Sequence, residues 1–127
     1  MRNLFLFLFL IAATFVSAQK HSNYGSVKVL SAYTQSTFGY NAGYYVEFKN
    51  NGTKSVDGMK WRARFYNNFG ELVGSRDGQW QSGNFTKPIP VGGTTEDLEG
   101  VLVEGATKVF ITMKMVHYTD GTSVKRK

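Results

Sequence analysis

The sequence predicts an all-β domain: an immunoglobulin-like antiparallel β-sandwich of seven to eight short strands, with a small β-barrel as the alternative. Three observations carry this expectation. Apolar and polar residues alternate along several segments, the period of a half-buried strand, and no segment has the apolar spacing of an amphipathic helix. Clusters of Gly, Asn, Asp and Pro fall between those segments as turn punctuation. No long-period repeat or low-complexity linker divides the 127 residues, so one domain is expected.

Each element follows in order. Residues 26–35 (SVKVLSAYTQ) are the first strand, and 36–43 (STFGYNAG) a turn bearing Gly and Asn. Residues 44–50 (YYVEFKN) alternate, with Tyr44, Val46 and Phe48 on one face and Tyr45, Glu47 and Lys49 on the other. After the loop at 51–58 comes the clearest strand, 59–67 (MKWRARFYN). Its Met59, Trp61, Ala63 and Phe65 point one way and its Lys60, Arg62, Arg64 and Tyr66 the other, so Trp61 is expected in the core. A turn at 67–70 (NNFG) leads to a strand at 71–74, a second turn at 75–78 (SRDG) and a short edge strand at 79–85 (QWQSGNF). Pro88 and Pro90 exclude residues 86–95 from a central strand, because proline cannot donate to the ladder. Residues 96–104 (EDLEGVLVE) return to apolar alternation through Leu98, then Val101 and Val103 after a bulge at Gly100. Residues 106–119 (ATKVFITMKMVHYT) form the longest strand, with Val109, Ile111, Met113 and Met115 on one face and Phe110, Thr112, Lys114 and Val116 on the other. Both faces are partly apolar, which places it centrally. Asp120-Gly121 is a two-residue hairpin signal that returns TSVK as a short edge.

Residues 1–18 stand apart from this domain. Arg2 supplies a positive start, residues 4–16 (LFLFLFLIAATFV) are 13 residues broken only by Thr14, and Val16-Ser17-Ala18 offers small residues at a cleavage position. That is the pattern of a secretory signal peptide cut between Ala18 and Gln19, and the run is shorter than the about 20 residues of a membrane span. The expected organisation is a signal peptide at 1–18, a flexible arm at 19–25 and the sandwich at 26–127. The expected location is secreted or periplasmic.

The chain contains no cysteine, so an exported domain is held by its core alone. Thiol catalysis, cysteine-ligated metals and a lipoprotein anchor are thereby excluded. Fifteen basic against nine acidic side chains give +6, and losing Arg2 with the leader leaves about +5. This balance suits an anionic partner, or serves solubility alone.

Little in the inventory supports catalysis. His117 is the single histidine of the domain body, and Asp120, its near neighbour in sequence, belongs to the turn that Gly121 completes. Glu96, Asp97, Glu99 and Glu104 cluster without a facing carboxylate or the loop spacing of a calcium hand. No catalytic, metal-ligating or cofactor-binding residue is assigned, and no cofactor is expected. Two surfaces are candidates for a ligand. Trp80, set among Gln and Gly, is a candidate for stacking on a sugar ring or for capping the sandwich edge, with Tyr33, Phe38, Tyr40, Tyr44 and Tyr45 adding aromatic area. Lys60, Arg62 and Arg64, with Lys49, Tyr45 and Tyr66 among them and Glu47 offsetting their charge, form a basic aromatic face.

The run 45–74 (YVEFKNNGTKSVDGMKWRARFYNNFGELVG) resembles the FxLYD-type domains of secreted prokaryotic proteins. Their pattern is a strand ending in Asn, a short polar loop, and a strand closing on an aromatic–Tyr–Asp turn followed by Gly. In "ARFYNNFG", Ala63 stands where that family has Phe, Phe65 where it has Leu, Tyr66 matches, and Asn67 replaces Asp. The Pro/Gly loop and the strand ending in HYTDG fit as well. The resemblance implies an immunoglobulin-like sandwich and no enzyme activity. The function expected is a non-catalytic binding or adhesion-type module for a glycan or an envelope or extracellular protein, with nucleic acid ranked behind both. The alternative is a structural or accessory envelope protein without a small ligand.

Overall fold

The computed structural model describes residues 21–37, 40–100 and 103–126. Residues 1–20 (the expected signal peptide among them), Phe38, the Tyr40 side chain, Val101 and Lys127 lie outside the described residues. Seven strands form: β1 (Val27–Thr37), β2 (Tyr40–Asn50), β3 (Val56–Tyr66), β4 (Leu72–Gln81), β5 (Thr94–Glu99), β6 (Lys108–Tyr118) and β7 (Ser123–Lys125). They pair antiparallel into a three-stranded sheet, β1-β2-β5, and a four-stranded sheet, β4-β3-β6-β7. The sheets stack open rather than closing into a barrel. Among the described residues there is no helix, hence none long and apolar enough to cross a membrane.

The inward residues of β2 and β3 meet at the centre. Trp61 is 1 % exposed and tilts over Phe48 at 4.9 Å, while Tyr44 meets Phe65 edge-on at 5.5 Å. Trp61 Nε1 donates to Tyr44 Oη at 2.9 Å across the two sheets. Burial pushes the Tyr44 phenol up to about 12, so it stays protonated there. Asn50, wholly buried, ends β2: its Nδ2 donates to the carbonyls of Lys54 and Ile89, and its Oδ1 accepts from Gly52 N. One side chain thereby ties together backbone groups from two loops.

Three sequence expectations are corrected. Residues 75–78 do not turn; β4 runs unbroken from Leu72 to Gln81. Gly78 lies opposite Trp61, and a Cβ there would fall 2.2 Å from the indole nitrogen. The glycine is a strand residue that makes room for the tryptophan, not a turn residue. Second, β6 does not alternate strictly. Lys60 pairs with Met115 but Trp61 with Met113, leaving Lys114 as a bulge. Val116 and Tyr118 therefore join Val109, Ile111 and Met113 in the core, while Met115 and His117 swing to the outer face. Third, β5 turns Leu98 to solvent (61 % exposed) and Asp97 and Glu99 toward the interior, because Asp97 pairs with the buried Val46 and Glu99 with the buried Tyr44.

The two ends of the described chain clasp one another. Ser22 exchanges backbone hydrogen bonds with Ile111 and Met113, extending the edge of β6 beyond β7. Arg126 donates to Ser22 Oγ at 2.8 Å and Asn23 O at 2.6 Å and lies over the Tyr24 ring. Residues 21–25, expected as a loose arm, are held by these contacts and by Tyr24 Oη donating to Lys125 O.

Candidate functional site

Strand register sets the outer face of the four-stranded sheet. Lys60, Arg62 and Arg64 project from β3 in a row, with Tyr66 beyond a register slip. On β4 their neighbours are Gln79, Asp77 and Ser75; on β6 they are Met115, Thr112 and Phe110. Lys108 lies beside Tyr66, and Lys125 of β7 beside Met115. Arg62 pairs with Asp77 at 3.2 Å and Arg64 donates to Thr112 Oγ1 at 3.4 Å. Phe110 stands edge-on to Tyr66 at 5.5 Å and tilts against His21 at 5.7 Å, closing the aromatic end of the face.

The other end holds a groove of about 340 Å³. Two bulges and a glycine make it. Val56 pairs with Tyr118 and Gly58 with His117, so Asp57 is an extra residue in β3, just as Lys114 is in β6. Gly58 then leaves the sheet surface bare between Gln81 and His117. Gln79 and Gln81 form one wall, Met115 and His117 the other, Lys60 the end toward Arg62, and Asp57 the far end. The bulges bring Asp57 and His117 together: Oδ1 meets Nδ1 at 2.5 Å. With Nδ1 engaged there, Nε2 is the other polar atom of the ring. Asp57 O also accepts from Ser82 N, which ties the end of β4 to the bulge. Among the described residues, no hydroxyl hydrogen-bonds to His117, and Lys60 has no ion pair.

The residues expected from sequence are divided by this geometry. Lys60, Arg62, Arg64 and Tyr66 share the face. Tyr45 and Lys49 do not: β2 belongs to the other sheet, so they lie on the opposite side of the sandwich, and Glu47 with them. The offset to Arg62 comes from Asp77 instead. Tyr45 stacks on Tyr33 at 4.8 Å and donates to Glu47 Oε2 at 3.1 Å. Burial, together with Glu96 and Glu47, drives its phenol well above the usual tyrosine range. Trp80 is 8 % exposed and belongs to the core, so its indole has no free face for a sugar; Tyr44 is likewise buried. Asp120 is occupied in its own turn by Thr122 and by Lys54 at 2.9 Å, contacts that hold its carboxyl well below the usual range. Asp57, Gln79, Gln81 and Met115 line the groove without any mark of a site in the sequence. No sequence signal marks the two bulges that deliver Asp57 and Met115.

Fold and site together define an open antiparallel sandwich with a grooved, basic outer face. No family model and no curated protein matches the chain. Among solved structures it is similar to a hypothetical protein of Peptoclostridium difficile 630, with a TM-score of 0.59 at 12 % identity, covering 84 % of this chain and 89 % of that one. At that identity the likeness is one of fold.

Proposed function

We propose that the chain is a secreted, non-catalytic binding module of the adhesion type, and that its ligand is an anionic glycan lying across the outer face of the four-stranded sheet. The observation that carries this reading is the charge of that face. Lys60, Arg62, Arg64, Lys108 and Lys125 project from it, against Asp77 and the His117-bound Asp57. A broad field of one sign attracts a flexible polyanion without needing a deep cleft. Residues 1–18 support the export part of the reading, and the resemblance to FxLYD-type domains supports the non-catalytic part. The alternative, a structural envelope protein with no small ligand, draws on the opposite face, where Leu30, Tyr33 and Leu98 are exposed.

The test is calorimetric titration of the chain from Gln19 onward with polygalacturonate. Affinity is expected to fall on the order of tenfold or more between about 0.05 and 0.3 M NaCl, as screening shortens the reach of the surface charges. Arg62→Gln with Arg64→Gln should weaken binding at low salt. Binding that ignores both salt and the double variant, or no binding to any anionic glycan, overturns the reading.

A further inference from the structure

We infer that the groove beside Gly58 seats a single carboxylated pyranose, a hexuronate unit of the glycan; this rests on the anionic-glycan reading above. The groove's volume of about 340 Å³ is at the small end of ligand pockets, roughly 300–1,000 Å³, and suits one ring rather than an oligomer. Its chemistry is graded along its length. At one end Lys60 offers an ammonium with no ion pair among the described residues. Along one wall Gln79 and Gln81 present amides that each donate and accept, the pairing that ring hydroxyls require. The other wall has the thioether side chain of Met115, an apolar surface for the C–H face of a pyranose, and His117.

One cation among neutral amides matches one negative charge. A sulfate or phosphate group favours several cations or a forked guanidinium, and here Arg62 is engaged by Asp77 outside the groove. A neutral hexose would leave Lys60 without a counter-charge. At the far end from Lys60, the Asp57 carboxylate is turned onto His117, Oδ1 to Nδ1 at 2.5 Å. That bond also fixes the imidazole ring, so the wall is formed before the ligand arrives.

The experiment follows backbone amide shifts of the chain from Gln19 onward during separate titrations with D-galacturonate, D-galactose and sodium sulfate. Galacturonate is expected to move Gly58, Lys60, Gln79, Gln81 and His117, and to bind about tenfold more tightly than galactose or sulfate. Lys60→Gln should erase the preference for galacturonate over galactose. Gly58→Leu should block the groove; a Cβ at Gly58 meets His117 Cβ at an ordinary 3.4 Å, so the backbone accommodates a side chain there. Gln79→Ala with Gln81→Ala is a third variant, at two exposed positions, and should weaken both sugars. Shifts centred elsewhere, equal binding of galactose, or an unaltered Lys60→Gln protein overturns the groove assignment. If polygalacturonate still binds with steep salt dependence while galacturonate does not, the groove assignment fails and the surface reading survives. If neither binds, both fail.

Discussion

The two outer faces of the sandwich arise from the same alternation and end with different chemistry. On the three-stranded sheet Lys28 and Lys49 are matched in number by Glu47 and Glu96 next along the strands, and the stacked Tyr33–Tyr45 pair lies beyond the glutamates. On the four-stranded sheet the basic residues outnumber their partners. Bulges occur in both sheets. In β1 the slip between Val29 and Ser31 turns Leu30 outward. In β3 and β6 the slips flank Gly58, so the displaced side chains of Asp57, Met115 and His117 border an open space. Alternation decides which residues meet water; a bulge beside a missing side chain decides where a ligand has room.

This comparison depends on the two sheets keeping their alignment, and Trp61 is the residue that fixes it. It packs on Phe48 and donates to Tyr44, both from the opposite sheet. Trp61→Ala should cost about 3–5 kcal/mol by urea denaturation, through the cavity and the buried phenol left without its donor. A loss below about 1.5 kcal/mol would mean that neither face is set by this contact.

Two glycines of the four-stranded sheet separate its inner surface from its outer one. Gly78→Ala drives a methyl into the Trp61 indole and should destabilise by about 1–3 kcal/mol. Gly58→Ala faces the groove and should change stability by no more than about 0.5 kcal/mol. Equal effects at the two positions would remove the distinction between the crowded side of the sheet and the open one.

These glycines also mark how far the sequence could be read. The β3 pattern from Met59 to Tyr66, the Asp120-Gly121 hairpin and the two-sheet class were legible because each is a local signal of period or turn chemistry. The SRDG stretch was misread because a glycine that admits an indole from the neighbouring strand looks, in one dimension, like a glycine that turns the chain. The phase of β6 was misread after Met113 because a bulge is a property of the pairing, not of either strand alone. That one-residue slip puts His117 on the outer face. Its partner, Asp57, lies 60 residues away and reaches it only through two adjacent strands.

The inward side of β5 adds a pH-dependent contrast. Burial, then the hydrogen bond and charge of Glu99, raise Asp97 to about 7, with the backbone at Leu98 opposing. The fold therefore holds a proton that the unfolded chain releases near pH 4. This contribution is complete below about pH 4 and is lost as pH rises through about 7. His21 works in the opposite sense, since burial lowers its value and favours the fold above about pH 6.5. Asp97→Asn isolates the carboxyl: relative to the parent, the variant should gain urea resistance between pH 5 and pH 8.5. A constant difference between the two proteins across that range would place the proton elsewhere.

The smallest effects on stability carry the sharpest test of the two faces. Glu47→Gln removes the carboxylate that accepts from Tyr45, and Asp77→Asn removes the one that pairs with Arg62. Both sites are on the surface, so each change should cost less than about 1 kcal/mol. Their effects on polygalacturonate binding should diverge. Asp77→Asn frees the Arg62 guanidinium in the middle of the basic row and should tighten binding a few-fold at low salt, with the gain fading as salt rises. Glu47→Gln raises the net charge by the same unit on the far side of the sandwich and should leave affinity within about twofold. An equal gain from both would show that the polyanion senses net charge alone, and the assignment of the ligand to one face would fall.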